Sequence, residues 1–415
     1  MILVLFTASY PYVTGAEQNF LEVEIQHLAQ SFERVILVPE RRDGQRSDIL
    51  PQIEVDDSYS DYLLSRTPIS TLLNGGFSDL VYKEIISRPS LLIKPAYLER
   101  LLFFASQAER TRKWVAAWIK KQNINTNDCL FYTYWFDQAT MGIGLLKTSF
   151  PDIKLVSRAH GYDIYEERRT PPYWPCREAA LSSVDFLFPD SDAGTDYLQG
   201  KYPKFISRVE TARLGILDSG IITNSSLDGI YRIVSCSRMV PVKRLDLIMQ
   251  GIIAAAKRRP SQKFEWCHFG TGPLQADLEM KLKELPENVI VRFAGYSTQS
   301  NLFNYYRKNP VDVFMNVSVS EGTSVAIMEA VSCGIPVIAT GVGGNTEIVS
   351  ERNGHILSAN PTADEVAAAL LQHWEAPGER RVASRMIWQE QYNAGKNFSI
   401  FTQHLFKIRA RDYRD

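Results

Sequence analysis

Two glutamates flank a short loop and helix in the C-terminal half of the chain, and their spacing suits the two ends of one extended ligand. Glu321 opens the loop after an apolar run, and Glu329 lies eight residues later in a predicted helix. Eight helical residues rise about 12 Å, so the carboxylates could address hydroxyl groups at opposite ends of a ligand. Between them the helix start contains Gly322, Thr323, Ser324 and Val325. Small residues there let backbone N–H groups face a phosphate; the alternative is an ordinary strand–loop–helix unit with surface glutamates.

Two cations occupy a loop at the start of the second half of the chain. Arg238 and Lys243 lie five residues apart around Pro241, after a predicted strand and before a predicted helix. From such a loop both side chains can converge on one diphosphate. The alternative is a solvated basic turn, which is weakened because cations near a helix N-terminus are unfavourable unless an anion is bound. The sequence therefore favours a phosphate site.

Glycines mark two further strand ends. Gly270 and Gly272 follow the run FEWCHF, and Gly295 with Tyr296 follows VIVRF. Small residues at these points allow a flat base or a phosphate to approach the backbone. Because the first loop lacks the third glycine of a dinucleotide fingerprint, a nicotinamide cofactor is poorly supported, and no other cofactor is expected.

The N-terminal half offers fewer candidates for chemistry. His160 ends a predicted strand, at the edge of a sheet where ligands bind, although a lone histidine is more often structural. Gly15 and Ala16, between the first strand and the first helix, could approach the ligand from the opposite wall; the alternative is an ordinary capped loop. The stretch 190–192, Asp-Ser-Asp, has the form of a metal-binding pair. Since Asp and Ser are favoured N-caps at a helix start, we prefer capping and predict no metal requirement.

Composition restricts the classes of function. The 415 residues suggest two or three domains. The balance of 46 Lys and Arg against 47 Asp and Glu gives a net charge of -1 and no global electrostatic case for nucleic acid. Five scattered cysteines support neither a disulfide framework nor a zinc site, so a reducing compartment such as the cytoplasm is the simplest expectation. The first residues read as a buried strand rather than a signal peptide, and no transmembrane helix is expected.

Apolar strand-like runs alternate with helical patterns, which predicts an α/β fold with parallel sheets covered by helices. Strands are predicted at 2–7, 34–38, 129–133, 154–157, 185–188 and 209–214, and then at 232–235, 264–269, 289–293, 311–317 and 336–340. The polar segment 218–229 between the two sets marks a domain boundary. Ligands of such sheets bind beyond the carboxyl ends of the strands, so two facing sheets would form a cleft.

The predicted organisation is therefore two Rossmann-like, doubly wound domains. They span residues 1–217 and 218–390, with a helical insertion at about 60–125 and a C-terminal helix at 391–415 that could stay with the second domain or cross back to the first.

The part of the insertion from Tyr82 to Lys121 combines nine Lys and Arg with three Glu and interleaves them with Leu, Phe and Trp. This pattern is compatible with amphipathic helices at an anionic membrane surface. A helical layer packed on the first sheet, with a solvated basic face, is the favoured interpretation.

Taken in order, these motifs resemble those of the retaining glycosyltransferase family 4, which has the GT-B fold. The resemblance is carried by the E-x7-E stretch from Glu321 to Glu329 with GIPVIAT and GVGGNTEIV after it, and by SRMVPVKRLD, FGTGPL, VRFAGY and HGYD. It covers nearly the whole chain apart from the insertion.

The resemblance implies a role for each matching residue. Glu321 would face the donor sugar, Glu329 would hold the ribose hydroxyls, and the pair Arg238 and Lys243 would bind the diphosphate. His160 matches the histidine that contacts the donor sugar. Gly15 matches a loop close to the phosphates, where the family often has Gly-Gly and this chain has Gly-Ala.

The function implied by the resemblance is that of a retaining, metal-independent glycosyltransferase of the hexosyltransferase type. It would move a sugar from a nucleotide-sugar, UDP- or GDP-linked, to a glycan or lipid-linked acceptor in bacterial-type surface polysaccharide synthesis. From the insertion, peripheral contact with an anionic membrane stays the alternative to a packed helical layer, and no obligate protein partner is inferred. The alternatives are a GT-B nucleotide-sugar epimerase, which needs no acceptor, and a non-catalytic carbohydrate- or nucleotide-binding protein.

Overall fold

Both halves of the chain are built on a six-stranded parallel sheet. The computed structural model describes residues 1–12, 17–65, 78–374 and 377–410. Residues up to Arg213, together with those from Phe398 onward, form one unit, and Leu214–Asn397 form the other. The chain thus changes unit between 213 and 214, where the sequence predicts a boundary between 217 and 218, and again between 397 and 398.

The sheet of the first unit has the order β3-β2-β1-β4-β5-β6. Its strands are β1 (Ile2–Thr7), β2 (Arg34–Pro39), β3 (Ile53–Val55), β4 (Cys129–Thr133), β5 (Lys154–Ala159) and β6 (Phe186–Pro189). The helices are α1 (Glu17–Ser31), α2 (Ser58–Leu64), α3 (Asp79–Ser87), α4 (Pro95–Gln122), α5 (Gln138–Gly144), α6 (Gly161–Ile164), α7 (Arg177–Ser183) and α8 (Asp192–Lys201).

The strands of the first unit other than the edge strand β3 are buried on both faces, as their continuous apolar runs require. In β1, Val4 and Phe6 enter one core, while Leu3 and Leu5 enter the core on the opposite face. All five residues of β4 are buried. A sheet of this kind needs helices on both sides.

Helix α4, which contains most of the basic and aromatic insertion, packs on the first sheet. Trp114 and Trp118 are buried in the same core as Phe6, and the Trp114 ring centroid lies 6.2 Å from that of Phe6. Arg110 is itself buried and donates hydrogen bonds to two backbone carbonyls of α2. The favoured interpretation of the insertion, a helical layer on the sheet, therefore describes α4. In the described ranges, every helix is too short or too polar to cross a bilayer.

The second unit repeats the strand order of the first. Its strands are β7 (Ile230–Cys236), β8 (Lys263–Phe269), β9 (Val289–Gly295), β10 (Val313–Asn316), β11 (Val337–Thr340) and β12 (Gly354–Leu357), arranged β12-β11-β10-β7-β8-β9. The helices are α9 (Leu245–Arg258), α10 (Gln275–Lys281), α11 (Gln299–Lys308), α12 (Val325–Ser332), α13 (Asn345–Ile348), α14 (Ala363–Trp374), α15 (Pro377–Ile387) and α16 (Ala394–Ala410). In each sheet the strand order reverses once, between β1 and β4 and between β7 and β10.

The structure differs from the sequence prediction mainly at the sheet edges. The edge strands β3 and β12 are not predicted, and the predicted strand 209–214 forms only an isolated bridge between Val209 and Leu187. The last helix, α16, begins in the second unit, and its residues Phe401, Leu405 and Ile408 lie in the core of the first.

Candidate active site

The Glu321 carboxylate is held by three donors. Its Oε1 accepts hydrogen bonds from Lys243 Nζ at 2.6 Å, Ser318 Oγ at 2.7 Å and Asn316 Nδ2 at 3.0 Å. The Glu321 side chain is 11% exposed and that of Lys243 is 23% exposed. The structure therefore joins two residues that the sequence places 78 positions apart, and it leaves both accessible to a ligand.

Asn316, the last residue of β10, also fixes the start of α12. Its Nδ2 donates to Ser324 Oγ at 3.1 Å, and its Oδ1 accepts from the backbone N–H of Ser318 at 3.1 Å. Thr323 and Ser324 are buried, whereas Gly322 and Val325 are half-buried. Ser324 occupies the N-cap position of α12, but its hydroxyl does not cap the helix. An anion could be bound there instead.

A second loop, between β11 and α13, lies against the Glu321 loop. The N–H of Gly344 donates to the carbonyl of Gly322 at 2.8 Å. Gly343 has a φ of 53°, and a Cβ at that position would lie 2.1 Å from the Glu321 carbonyl oxygen. Only glycine permits this approach, so the GVGG stretch positions Glu321.

Arg244, which the sequence analysis does not single out, holds the segment before Glu321 through its backbone carbonyls. Its Nε donates to the carbonyl of Val317 at 2.6 Å and its Nη2 to that of Ser318 at 2.9 Å. A further bond from Nη2 reaches the Ala359 carbonyl at 2.9 Å. Arg244 also has a left-handed backbone, with a φ of 49°. The partners lie more than 70 residues away, so no local signal could have revealed this role.

Glu329, in α12, has fewer hydrogen-bond partners than Glu321. It is buried, and its Oε1 accepts one hydrogen bond, from Gln299 Nε2 at 2.8 Å. Burial raises the pKa of Glu329 to about 7, and the hydrogen bond from Gln299 opposes the shift. Near neutral pH this carboxyl can therefore both donate and accept hydrogen bonds, which suits recognition of hydroxyl groups.

The loop that carries Arg238 is packed against the glycine loop 270–272. The N–H of Met239 donates to the Thr271 carbonyl at 2.9 Å. A Cβ on Gly270 would lie 1.9 Å from the Ser237 carbonyl oxygen, and one on Gly272 would lie 2.5 Å from that of Met239. These glycines admit another segment of the chain, and through it they position Arg238, whose side chain is exposed.

The buried side chain of His268, which the sequence analysis does not single out, contacts the loop that carries Arg238. His268 Nδ1 lies 2.8 Å from Ser235 Oγ, and its Nε2 lies 3.1 Å from the Ser237 carbonyl oxygen. Because a carbonyl only accepts, Nε2 carries the proton. Burial lowers the pKa of His268 to about 4, so the ring is neutral at physiological pH.

The remaining glycine candidate, Gly295, stands at the end of β9 with a φ of 75° and open space where a Cβ would be. The neighbouring Tyr296 is 76% exposed. This aromatic face is accessible to a flat group.

His160 of the first unit follows β5 and precedes α6. It is buried, and its backbone N–H donates to Asp163 Oδ1 at 2.5 Å. Its ring centroid lies 4.8 Å from that of Tyr134 and 4.7 Å from that of Trp135. Burial, and secondarily the positive charge of Arg158, lower the pKa of His160 to about 3. The imidazole is therefore neutral and suited to hydrogen bonding with hydroxyls.

Gly15 and Ala16 lie outside the described residues. The adjacent Glu17 uses its carboxylate to accept backbone N–H bonds from Ala8 at 2.8 Å, Ser9 at 2.7 Å and Tyr10 at 2.9 Å. An acidic side chain thus fixes the loop that follows β1.

The Asp-Ser-Asp stretch has structural roles. Ser191 is the N-cap of α8 and accepts a bond from the N–H of Gly194 at 3.2 Å, while Asp192 pairs with Arg213. Within the described part of the chain, His, Cys, Asp and Glu side chains do not gather in threes where a metal ion could be held.

Two candidate residues of the second unit, Lys243 and Glu321, meet at the point where its strand order reverses, whereas Gly270 follows β8 and Gly295 ends the edge strand β9. Lys243 follows β7 and Glu321 follows β10, and these strands are neighbours in the sheet. In doubly wound sheets, ligands bind at this switch point, outside the carboxyl ends of the strands.

The comparisons with known proteins agree with this architecture. Residues 230–376 match the family model described as glycosyl transferases group 1. The chain is 24% identical over 288 residues to the GtfA subunit of UDP-N-acetylglucosamine–peptide N-acetylglucosaminyltransferase from Streptococcus pneumoniae. The aligned region covers 66% of this chain and 53% of that protein. The chain spans about half the length of the curated relatives it matches.

Two solved structures are similar along the whole chain. The apo lipopolysaccharide outer core galactosyltransferase WaaB has a TM-score of 0.70 at 12% identity, covering 98% of this chain and 99% of that one. HepE from Anabaena, solved with UDP and glucose, has a TM-score of 0.64 at 15% identity, with the same coverage. The fold is therefore GT-B, with two parallel six-stranded sheets and flanking helices.

Proposed function

We propose that this protein is a glycosyltransferase that moves a sugar from a nucleoside-diphosphate sugar to a glycan or lipid-linked acceptor, in the synthesis of a polysaccharide or glycoconjugate. The observation that carries the proposal is the pairing of Lys243 with Glu321 at the switch point of the second sheet. A cation and a carboxylate at this place suit the diphosphate and the sugar of such a donor. The proposal is also supported by the group 1 match over 230–376 and by HepE, which was solved with UDP and glucose.

The charges suggest how the residues would share the reaction. As the glycosidic bond breaks, the leaving diphosphate gains negative charge, which Lys243, Arg238 and the start of α12 would stabilise. Glu321 already has Lys243 as its partner, and this cation offsets its repulsion from a neighbouring phosphate. Its task would be to orient sugar hydroxyls and to offset positive charge at the anomeric carbon. Glu329 would hold the ribose, and neutral His160 would contact a sugar hydroxyl.

We further propose that the transfer retains the anomeric configuration and needs no metal. Two basic side chains on the loop after β7 supply the positive charge that a divalent ion would otherwise bring. The new glycosidic bond of the transfer product, examined by proton NMR, should have the anomeric configuration of the donor, and the opposite configuration would overturn retention. Activity should persist in EDTA; its loss and its recovery with Mg²⁺ or Mn²⁺ would overturn the metal-independent mechanism.

The donor is best identified first, by thermal shift and saturation-transfer NMR with UDP-, GDP- and ADP-sugars. Lys243→Ala and Glu321→Ala should abolish donor-dependent transfer without unfolding the protein. Arg258→Ala is a matched control, because Arg258 forms an exposed ion pair with Asp364 elsewhere in the same unit. Unimpaired transfer in both site variants would refute the assignment. Conversion of the nucleotide-sugar without any acceptor would favour an epimerase, and the absence of a shift with every nucleotide would favour a non-catalytic binding protein.

We also propose that the protein works at the cytoplasmic face of a membrane as a peripheral protein. Helix α3 and the turn after it expose the apolar side chains of Tyr82, Ile86, Leu92 and Ile93. The same segment contains Lys83 and Lys94. Such a surface suits anionic lipid headgroups. Vesicles containing phosphatidylglycerol should sediment more protein than neutral vesicles, and Ile86→Ser with Ile93→Ser should remove the difference. Equal sedimentation with both vesicles would contradict the proposal.

A further inference from the structure

A cavity of about 580 Å³ lies within the first unit, at the carboxyl ends of its central strands. Ala8 follows β1, Glu40 follows β2 and Trp135 follows β4, and all three line the cavity. It therefore stands at the reversal of strand order between β1 and β4, the position where doubly wound sheets bind ligands. The insertion helix α4 contributes Phe103 and Phe104 to its wall.

Aromatic side chains line much of this cavity. Phe103 is 54% exposed and Tyr162 is 69% exposed, although both are large apolar groups. Trp174 is buried behind them, with its ring centroid 6.5 Å from that of Phe104. Accessible aromatic faces of this kind pack against the C–H faces of ring compounds.

Two acidic groups supply the polar part of the cavity. Glu40 and Asp137 both line it, and Asp137 Oδ1 also accepts the backbone N–H of Ala139 at 2.9 Å. Burial raises the pKa of Asp137 well above its ordinary value, and the charge of Glu40 adds to the shift. Burial also raises the pKa of Glu40, against the attraction of Arg41. Carboxyl groups that retain protons can donate as well as accept hydrogen bonds, as hydroxylated ligands require.

Of the three arginines that line the cavity, Arg41 lies close enough to Glu40 to attract its charge, and the other two are already engaged by the protein. Arg100 donates to the carbonyl of Pro171 at 2.7 Å and to that of Thr170 at 2.8 Å. Arg169 stacks on Trp174, with 3.3 Å from its guanidinium carbon to the ring centroid, and donates to the Tyr162 carbonyl at 3.1 Å. Bound in this way, Arg100 and Arg169 shape the aromatic wall, and their hydrogen-bond donors are already used by backbone carbonyls rather than offered to an anionic ligand.

We propose that this cavity binds an uncharged sugar ring of the acceptor, with Phe103 and Glu40 as its specificity-determining residues. Aromatic faces would receive the apolar face of the ring, and the carboxyl groups its hydroxyls. That the bound sugar is the acceptor rests on the proposed function, whereas sugar binding in the cavity does not. A peptide hydroxyl, by contrast, offers no ring for the aromatic wall.

The test is saturation-transfer NMR on the full chain without donor. The probes are methyl glycosides of glucose, galactose, mannose and N-acetylglucosamine, and a serine-rich peptide serves as the rival ligand. At least one glycoside should receive saturation, and Phe103→Ala and Glu40→Gln should each weaken its binding at least about tenfold, the loss typical of one good contact. Leu64→Ala is the matched control, because Leu64 is an exposed apolar residue of the same insertion and does not line the cavity.

Three results would overturn the proposal: the peptide alone binds, none of the probes binds, or the variants bind the glycoside as the unaltered protein does. Thermal unfolding of each variant verifies that it folds, and should Glu40→Gln fail to fold, Phe103→Ala decides. A thermal shift with the donor reports on the second unit. A donor shift without glycoside binding would refute only the sugar cavity, and glycoside binding without donor-dependent transfer would refute only the proposed function.

Discussion

Replacing the buried acid Glu329 by glutamine should make the protein more stable at alkaline pH. Burial raises the pKa of Glu329 to about 7 from its ordinary value of 4.5, and the bond from Gln299 opposes that shift. Between these two values the folded protein holds a proton that the unfolded chain has released. The free energy of unfolding therefore falls as the pH rises from 4.5 to 7, and it is constant above that range.

The size of the effect follows from the shift. One pKa unit corresponds to about 1.4 kcal/mol, so the ionisation of Glu329 costs the folded state about 3 kcal/mol at pH 8. Glu329→Gln has no proton to lose. Its stability relative to the unaltered protein should accordingly increase by about 3 kcal/mol between pH 4.5 and pH 8.

Urea unfolding, followed by circular dichroism in buffers from pH 4.5 to 8, measures this difference. Glu279→Gln is the matched control, because Glu279 Oε1 accepts a bond of the same length, 2.8 Å, from Gln275 Nε2, but on an exposed helix surface. If Glu329→Gln and Glu279→Gln follow the unaltered protein equally across this pH range, the raised pKa is refuted. Weaker donor binding by Glu329→Gln at pH 8, in a variant that is more stable, would show that Glu329 has a functional role as well as a cost in stability.

Three further substitutions test other parts of the structure. Glu24→Gln breaks the fully buried ion pair with Arg158, whose Nε lies 2.9 Å from Glu24 Oε2, and should lower the free energy of unfolding by about 3–5 kcal/mol in urea; a loss below about 1 kcal/mol would contradict the reasoning. Arg244→Lys keeps the charge but loses the forked contact with two loop carbonyls, so donor KM should rise about tenfold with little change in Tm. Gly343→Ala should weaken donor binding by about 1–3 kcal/mol, whereas the control Gly378→Ala, with open space around it, should not. Equal donor affinities of the two variants, measured by calorimetry, would refute the role of Gly343 in positioning Glu321.

The central strands could be predicted because their pattern is independent of distant residues. β4, CLFYT, is buried at every position, and all of its residues except Thr133 are hydrophobic. The edge strand β3, IEV, is three residues long and has one exposed glutamate, so its apolar pattern is too short to distinguish it from the neighbouring loops. β12, GHIL, likewise has two residues that are only half-buried. An edge strand has fewer neighbours to bury it, and its sequence carries a weaker signal.

The sequence indicated the charged residues of the candidate site, but not the residues that hold them in place by hydrogen bonds. The types and loop positions of Lys243 and Glu321 indicated a ligand, and the fold joins them at 2.6 Å. Arg244, Asn316 and His268 act through hydrogen bonds to segments brought close only by the sheet. Their residue types suit many surface or core positions, so only the three-dimensional structure distinguishes them.

The repeated strand order explains why the two units can differ in chemistry without differing in architecture. Each sheet reverses its order once, and the loops at that reversal are not part of the buried strands that determine the fold. In the second unit these loops carry Lys243 and Glu321; in the first they carry Glu40 and Trp135. Lys243 and Glu321 are polar and do not belong to the hydrophobic cores, so their residue types can be selected for ligand chemistry. Lys243→Ala, and likewise Phe103→Ala at an exposed position on α4, should alter binding far more than stability, whereas Glu24→Gln, at a fully buried ion pair, should do the opposite.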